Sequence, residues 1–309
     1  MKTENMTYRS RDGATDIHAV RWQPDGAVRA VLQIVHGMNE FIERYEPFAQ
    51  FLTEQGFCVV GNDHLGHGQS VLSRDELGFF GHPKGNECVL ADVRTLFNTT
   101  RADYPDVPYF MLGHSMGSFL VRQYITMFGE ELTGAVIMGT GIYTAGTLRA
   151  GKTIARLAGM TRGWHYRSPF LNKMAFGNYN RRFMPARTAF DWLSNDTAVV
   201  DAYCRNPLNT TMFTVNGYYQ MFRSISWAQN RKYMEKIPKE LPLLLVSGQE
   251  DPVGQEGEGV RAVCGLLRRA GITDVRMKLY PGDRHEILNE TDHETVFNDL
   301  LGWMQEQGA

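Results

Sequence analysis

Cysteine is scarce in this chain of 309 residues, and its four thiols stand far apart in the sequence. They are Cys58, Cys88, Cys204 and Cys264, and no two of them form the C-x-x-C pair of a redox or zinc site. The first residues contain no apolar stretch of the kind that directs a protein to export. We therefore expect free, buried thiols rather than disulfides or a metal site, and a cytoplasmic location.

Long apolar runs and a large net charge are also absent. No run approaches the roughly 20 apolar residues that a membrane-spanning helix needs. The net charge of −2 gives no support to a nucleic-acid-binding protein. Apolar residues make up 43% of the chain and charged residues 21%, which are ordinary values for a globular protein with a large core.

Short apolar runs alternate with helical patterns through most of the chain. This alternation predicts the α/β class, with a mostly parallel sheet covered by helices on both faces. An amino-terminal hairpin over 6–9 and 15–22 is expected first, with Asp12-Gly13 in its loop. Buried strands are then predicted over 30–35, 57–63, 108–112, 134–139, 243–247 and 275–280. Helices are predicted around 45–52 and over about 87–100, 118–128, 257–270 and 291–307.

The alternation stops between Gly141 and about Glu235. This stretch is rich in Gly, Pro, Trp, Met and Tyr and contains no clear buried strand. We interpret it as a helical cap (lid) inserted over the carboxyl ends of the strands, where such sheets bind their ligands. The predicted domains are an α/β core, residues 1–140 and 237–309, and a helical cap, residues 141–236.

The segment Gly113-His114-Ser115-Met116-Gly117 joins a predicted strand to a predicted helix. A serine hydroxyl is a weak nucleophile at neutral pH, and a sharp strand-to-helix turn presents it to a base. Gly113 and Gly117 remove the side chains that would crowd such a turn. The helix that begins here also directs free N–H groups at the site. We therefore predict that Ser115 is a catalytic nucleophile.

A catalytic serine needs a general base and an acid that orients the base. His285 follows the last predicted strand and is the candidate base, and Asp251 follows the strand before it and is the candidate acid. The order Ser, Asp, His is the one expected for the α/β-hydrolase arrangement. Glu250 is adjacent to Asp251 and remains an alternative by spacing alone. Asp274 lies at the wrong end of its strand, and Asp283 is better placed to cap its own loop.

An oxyanion hole should combine the N–H after the nucleophile with an N–H from the turn after the first buried strand. These are the backbone amides of Met116 and Met38. His36 and Gly37 open that turn, and we expect His36 to hold it in shape. His114 is expected to line or support the pocket.

Asp63-His64-Leu65-Gly66-His67 brings an acid and two histidines close together and so suggests a metal site. No other cluster of Cys, His or Glu completes a ligand set. We favour a turn fixed by Gly66 and Gly68, and we predict no metal and no cofactor.

Taken together, these motifs resemble the monoacylglycerol lipase and lysophospholipase branch of the α/β-hydrolases, also described as serine aminopeptidase-like hydrolases. The matching stretches span nearly the whole chain and are His36-Gly37-Met38-Asn39-Glu40, Arg44-Tyr45, Asp63-His64-Leu65-Gly66-His67-Gly68-Gln69-Ser70, Gly113-His114-Ser115-Met116-Gly117, Asp191-Trp192-Leu193-Ser194, Asn206-Pro207-Leu208, Asp251-Pro252-Val253 and His285. The resemblance implies an α/β-hydrolase fold, a triad of Ser115, Asp251 and His285, and oxyanion amides at Met38 and Met116. It also implies hydrolysis of lipophilic monoesters, such as monoacylglycerols or lysophospholipids, without a cofactor.

Two positions depart from the family pattern. Ser118 stands where the elbow often has a further glycine, and Met38 occupies an oxyanion position that usually holds a small residue. A bulky Met38 narrows the acyl pocket and puts a preference for long chains in doubt.

The alternative functions are a small-substrate carboxylesterase, an aminopeptidase or amidase on the same scaffold, and a non-catalytic binding protein. The intact Ser, Asp and His argue against a non-catalytic binding protein.

Acidic residues are absent from 141–190, whereas nine cationic side chains give this segment a charge of +9 and leave −11 for the remainder. The nine are Arg149, Lys152, Arg156, Arg162, Arg167, Lys173, Arg181, Arg182 and Arg187. They either attract an anionic head group, with transient contact to a membrane surface, or form a solvated face that pairs with acidic residues elsewhere. We favour pairing, with partners that include Glu235, Glu240, Glu256 and Glu258. The expected partner is a small-molecule or lipid ester, with no nucleic acid, and the oligomeric state stays open.

Aromatic and methionine side chains are interleaved with these cations and continue just beyond them. We expect them to line an acyl tunnel, to form the cap's own packing core, or to do both. They are Trp164, Phe170, Met174, Phe176, Phe183, Phe190 and Trp192.

Overall fold

The computed structural model describes all 309 residues and is built around one eight-stranded sheet. Its strands are β1 (Lys2–Arg9), β2 (Asp16–Gln23), β3 (Ala30–Val35), β4 (Phe57–Asn62), β5 (Tyr109–His114), β6 (Gly134–Met138), β7 (Leu243–Gly248) and β8 (Val275–Tyr280). They lie in the order β1-β2-β4-β3-β5-β6-β7-β8. β2 runs antiparallel to β1 and β4, and every other neighbouring pair is parallel.

The central strands are buried along their whole length, which explains why they appear in the sequence as continuous apolar runs. β1 and β2 form the expected hairpin, in which Arg9 is opposite Asp16. β8 lies at the edge of the sheet and alternates between buried and exposed residues. The predicted mostly parallel sheet is therefore confirmed.

Ten α-helices accompany the sheet. They are α1 (Glu46–Glu54), α2 (Gly85–Asp103), α3 (Met116–Phe128), α4 (Ala145–Arg162), α5 (Pro169–Phe176), α6 (Thr197–Arg205), α7 (Val215–Ala228), α8 (Arg231–Met234), α9 (Glu258–Arg269) and α10 (His293–Glu306). α1 and α10 pack with one face of the sheet in a core of 27 buried residues. α2, α3 and α9 pack with the other face in a larger core of 44 buried residues.

The helix that follows β5 differs in detail from its sequence pattern. The spacing of apolar residues places Leu120, Tyr124 and Met127 on one face of this helix. Leu120 and Tyr124 are buried, but Met127 is 42% exposed. α3 is buried on nearly all sides as far as Thr126, so apolar spacing alone does not select its buried face.

Helices α4 to α8 all lie between β6 and β7, and no strand interrupts them. α7 packs on α4 and also on α3, next to the sheet. The four cysteines are free, two buried and two partly buried. No helix combines the length and the apolar composition that crossing a bilayer requires.

Candidate active site

Ser115 occupies a strained turn between β5 and α3. Its φ and ψ are 52° and −118°, a left-handed backbone conformation that few residues other than glycine adopt. The Ser115 N–H donates to the carbonyl of Met138 at 2.9 Å, which fixes the turn against β6. The hydroxyl of Ser118 donates to the Ser115 carbonyl at 2.6 Å, so this departure from the family pattern adds a further hydrogen bond to the turn.

Glycine is required on both sides of Ser115 because backbone atoms approach closely there. A Cβ at Gly113 would overlap the carbonyl oxygen of Gly117. A Cβ at Gly117 would overlap the carbonyl oxygen of Val35, at the end of β3. The turn therefore presses α3 against the neighbouring strand and leaves the serine side chain at the carboxyl edge of the sheet.

Asp251 and His285 come together although 34 residues separate them. The Nδ1 atom of His285 lies 2.9 Å from Oδ2 of Asp251, and both side chains are buried. Asp251 also accepts hydrogen bonds from the Ser247 hydroxyl at 3.1 Å and the Val253 N–H at 2.8 Å. These bonds hold the carboxylate so that it can orient the imidazole and stabilise its protonated form.

The other acids that the sequence leaves open lie elsewhere. Glu250 faces Arg182 at 4.0 Å and is partly exposed. Asp274 pairs with Arg276 at 3.1 Å. Asp283 is buried and makes no hydrogen bond through Oδ2, and burial raises the pKa of its carboxyl to about 7. Of these acids, only Asp251 bonds to the ring of His285.

Ser115 and His285 line one cavity. No direct hydrogen bond joins the serine hydroxyl to the imidazole in the free protein, in which the ring bonds to Asp251. Such bonds are often long before substrate binds and tighten in the complex.

Two backbone N–H groups near Ser115 can donate hydrogen bonds to a negatively charged oxygen. The N–H of Met38 donates to no group of the protein. Met116 is the first residue of α3, where an N–H has no partner within the helix. Both residues line the same cavity as Ser115.

The turn that carries Met38 is held by the buried carboxylate of Glu40. One carboxylate oxygen accepts the N–H of Gly37 and a hydrogen bond from the Tyr45 hydroxyl at 3.0 Å. The same oxygen lies 2.9 Å from Nδ1 of His114. Burial alone would lower the pKa of His114, but the charge and hydrogen bond of Glu40, together with the charge of Glu286, outweigh burial and raise that pKa. Glu40 therefore joins the turn that carries Met38 to His114, the residue that precedes Ser115.

Arg44 extends this group of buried charges to the histidine loop. Its guanidinium contacts Glu40 at 3.2 Å and holds Glu286 by two hydrogen bonds of 2.8 and 2.6 Å. Glu286 directly follows His285, and the His114 ring lies 4.8 Å from the His285 ring. The sequence motif contained Glu40 and Arg44, but only the structure shows their connection to Glu286.

Both ring nitrogens of His36 bond to the backbone, one of them to the turn that carries Met38. One ring nitrogen bonds to the Gly37 carbonyl at 2.7 Å, and the other accepts the N–H of His64 at 3.0 Å. The His64 ring packs against the His36 ring, with 4.0 Å between the ring centroids and a tilt of 32°. Burial lowers the pKa of His64 to about 4 and that of His67 to about 3, so these rings are neutral.

The carboxylate of Asp63 accepts hydrogen bonds from backbone N–H groups and not from His64 or His67. Its carboxylate accepts the N–H groups of Ile42 and Gln69 at 2.8 and 2.7 Å. It also approaches His18 and Glu43 on the neighbouring strand and loop. Asp63 therefore fixes two loops beside the oxyanion turn.

The cavity has a volume of about 560 Å³ and a mostly hydrophobic wall. Helices α3, α4, α5 and α7 and the loop after α5 supply its apolar side chains, including Phe119, Leu148, Met174, Phe176, Phe190 and Trp192. This volume is typical of a small-molecule site. Some of the interleaved aromatic residues thus line the cavity, whereas Phe170 is 64% exposed and Trp164 packs against His82.

The sequence and structure match known hydrolases. A family model described as serine aminopeptidase, S33, matches residues 26–292. The chain belongs to the serine aminopeptidase S33 family. A rat monoglyceride lipase is 38% identical over 93% of this S33 hydrolase and 86% of the relative. A monoacylglycerol lipase from Mycolicibacterium smegmatis is 28% identical over 92% of the chain and 90% of the relative.

The solved structures agree with this assignment. A thermostable carboxyl esterase from Bacillus coagulans, solved with glycerol, superposes with a TM-score of 0.93 at 30% identity over the whole of both chains. The α/β-hydrolase fold and the predicted family are therefore confirmed. The chain is a serine hydrolase of the type that includes monoglyceride lipases and esterases.

The pairing that we favoured for the basic segment 141–190 of this S33 hydrolase is present at two of its nine cations, one of them with the expected partner Glu256. Arg182 contacts Glu256 at 2.7 Å, and Arg187 contacts Asp201 at 2.5 Å. The other seven cations of the segment have no carboxylate within 4.0 Å. The remaining acids that we named as partners bond outside the segment, for example Glu235 to Arg231.

Proposed function

We propose that this S33 hydrolase cleaves lipophilic carboxylic monoesters, such as monoacylglycerols or lysophospholipids, through an acyl-enzyme on Ser115. One observation carries the proposal: the buried Asp251–His285 pair and Ser115 meet at a largely apolar cavity of about 560 Å³. Similarity to monoglyceride lipases supports a glycerol ester as substrate. Residues 141–236 would act as the cap that covers this cavity.

In the proposed reaction, the Ser115 oxygen attacks the ester carbonyl while Nε2 of His285 takes its proton. The amides of Met38 and Met116 bind the oxyanion that forms. His285 then gives its proton to the leaving alcohol, and a water molecule, activated by the same imidazole, hydrolyses the acyl-enzyme. Asp251 keeps the imidazole in the required orientation and stabilises its positive charge.

An aminopeptidase would need a free carboxylate in the cavity to bind the amine of its substrate. The acidic residues of the cavity wall are Glu40 and Glu286. Both are already bound by Arg44, and Glu40 also by His114. This arrangement favours ester over amine-bearing amide substrates.

The first test is hydrolysis of p-nitrophenyl esters from acetate to palmitate, with 1-monoacylglycerol, a lysophospholipid and an aminoacyl anilide in parallel. We expect the highest kcat/KM on medium-chain or long-chain monoesters. A maximum at acetate would indicate a small-substrate carboxylesterase, with Met38 as the residue that shortens the pocket. Activity on the anilide alone would refute the esterase proposal.

The nucleophile is tested with Ser115→Ala, which we expect to lower kcat by roughly 10⁴-fold or more. Ser73→Ala is the matched control, because this serine starts a surface turn and caps it through no side-chain hydrogen bond. A fluorophosphonate should label the parent protein and the control but not Ser115→Ala. Labelling of Ser115→Ala would place the nucleophile elsewhere.

We also propose that the basic segment contacts an anionic lipid surface. Five large hydrophobic side chains with exposures of 40–67% lie in this segment, among its seven unpaired cations. They are Leu157, Met160, Phe170, Met174 and Met184. Apolar groups beside cations are suited to a surface of anionic head groups and acyl chains.

Vesicle binding tests this contact. The parent protein should bind vesicles of anionic phospholipid, lose binding as salt rises, and bind zwitterionic vesicles weakly. Lys152→Glu with Arg156→Glu should abolish most of the binding without changing hydrolysis of a dissolved p-nitrophenyl ester. Lys2→Glu with Arg11→Glu makes the same charge change on the amino-terminal hairpin and should leave binding unchanged. Equal binding to both vesicles at all salt concentrations would contradict the proposal.

A further inference from the structure

The hydroxyls of Tyr143 and Tyr179, two residues of the cavity wall, lie beside each other. They lie 3.4 Å apart, and this long contact is the one hydrogen bond that either hydroxyl makes. A phenol can donate one hydrogen bond and accept others, so the pair retains unused capacity for both. By contrast, the amide of the neighbouring Asn180 makes two good hydrogen bonds, because it donates to the Thr188 carbonyl at 2.7 Å and accepts the Trp192 N–H at 2.9 Å.

Both tyrosines are held in place by their surroundings. The side-chain amide of Gln229 accepts the Tyr143 N–H at 3.0 Å and donates to the Tyr143 carbonyl at 2.7 Å. The Tyr179 ring packs between Phe176 at 5.4 Å and Trp192 at 4.8 Å. The two hydroxyls are therefore preorganised, and a ligand would not need to order them.

Aromatic packing connects the pair to His285, the residue that protonates the leaving alcohol in the proposed reaction. In the proposed reaction His285 gives its proton to that alcohol, so the alcohol lies against the imidazole. Trp192 packs 5.0 Å from the His285 ring, and Tyr179 packs on Trp192. This aromatic wall leads from His285 to the two hydroxyls.

We propose that Tyr143 and Tyr179 form a subsite for the free hydroxyl groups of a polyol leaving group, such as the glyceryl part of a monoacylglycerol. The inference rests on the proposed function and adds specificity for the alcohol half of the ester. A polyol can both donate to and accept from the two phenols. An ester of a monohydric alcohol leaves them without partners, and a site built to bind hydroxyls discriminates against such a ligand.

The chemistry of the pair suits a neutral ligand. Burial raises the pKa of both phenols above the ordinary value, so both hydroxyls stay protonated at neutral pH. A protonated phenol donates a hydrogen bond as well as accepting one. A substrate hydroxyl can accept the hydrogen bond that a phenol donates and can donate a hydrogen bond to the phenol oxygen.

The test compares two esters with the same acyl chain, 1-decanoylglycerol and methyl decanoate. The ratio of their kcat/KM values is measured for the parent protein, Tyr143→Phe, Tyr179→Phe and the double variant. We expect each single change to lower the ratio about 5- to 10-fold, and the double change at least as much, with methyl decanoate hydrolysed at nearly the parental rate. Tyr219→Phe is the matched control, since this tyrosine lies in α7 outside the cavity wall.

The outcomes separate the subsite from the reaction itself. Failure of the parent protein to hydrolyse either ester would refute the proposed function. Normal hydrolysis with an unchanged ratio in all variants would refute the subsite alone. An equal loss on both esters, or a lowered melting temperature that accounts for the loss, would show that the tyrosines only support the fold.

Discussion

At the scale of single residues, the buried charges around Arg44 connect the parts of the site that must stay in register. Arg44 binds Glu40 beside the oxyanion turn and Glu286 beside His285. A buried ion pair adds little net stability against apolar replacements, but loss of one partner leaves an uncompensated charge. The value of this group therefore lies in fixing the relative positions of Met38 and His285.

This role predicts the effect of Glu286→Gln, which keeps the side-chain shape and removes its charge. We expect kcat to fall at least about 10-fold with little change in KM, and the free energy of unfolding to fall by about 3 kcal/mol. Glu235→Gln is the control, because its exposed pair with Arg231 is worth under about 0.5 kcal/mol. Steady-state kinetics measures kcat and KM, and urea unfolding measures the free energy of unfolding. A rise in KM alone would assign Glu286 to substrate binding instead.

A residue of the site could be predicted from the sequence when the residues that mark it lie near it in the chain. Ser115 is marked by its own neighbours, because the glycines beside it are needed for a local turn. Asp251 and Glu250 are adjacent, and no local signal separates them; the structure does so through the bond to His285. The contact of Arg44 with Glu286 joins positions 242 residues apart and has no sequence signal.

At the scale of secondary-structure elements, the turn between β5 and α3 depends on how closely α3 approaches β3. A Cβ at Gly117 would meet the backbone carbonyl of Val35, which cannot move aside as a flexible side chain can. Gly302 lies inside α10, and a Cβ at this position would meet no other atom within 4 Å. Replacement of glycine by alanine should therefore have opposite effects on stability at the two positions.

We expect Gly117→Ala to abolish most activity and to lower the melting temperature, because helix and strand must separate. Gly302→Ala should instead stabilise the protein by about 0.5–1 kcal/mol, since alanine has the higher helix propensity. Thermal unfolding followed by circular dichroism, with ester hydrolysis on the same samples, tests both. A fully active, equally stable Gly117→Ala protein would show that the turn is looser than the structure indicates.

Strands were predictable both in the middle of the sheet and at its edge. β3 and β8 begin and end where the sequence pattern places them. β5 runs two residues further than its apolar run, through Gly113 and His114, because pairing with β6 continues as far as His114, next to Ser115. The pattern of apolar residues shows which part of a strand is buried, whereas pairing with the neighbouring strand decides at which residue the strand ends.

At the scale of the whole molecule, stability against acid depends on titrating groups that the fold buries. Burial lowers the pKa of His67 to about 3, below the ordinary value of about 6.5 for an exposed histidine. Between these values the unfolded state binds a proton that the folded state does not, so this histidine destabilises the fold as pH falls below about 6.5.

Two buried aspartates act in the opposite direction. Burial raises the pKa of Asp63 and of Asp92 to about 6, above the ordinary value of about 3.9. Between these values the folded state binds the extra proton, so these groups favour the fold as pH falls and oppose it as pH rises through 6. The stability curve of the parent protein therefore mixes both signs, and a difference between two proteins is needed to isolate His67.

His67→Met isolates it, because His67 lies 5.3 Å from the rings of both Phe80 and Phe213, where a flexible apolar side chain can pack without titrating. We expect the free energy of unfolding of His67→Met, relative to the parent, to be constant above pH 7 and to rise steadily from about pH 6.5 to pH 4. Urea unfolding at each pH measures it. Phe80→Leu alters the same packing without a titrating group and should give a difference that does not vary with pH. A constant difference for His67→Met as well would mean that His67 binds its proton equally in the folded and unfolded states.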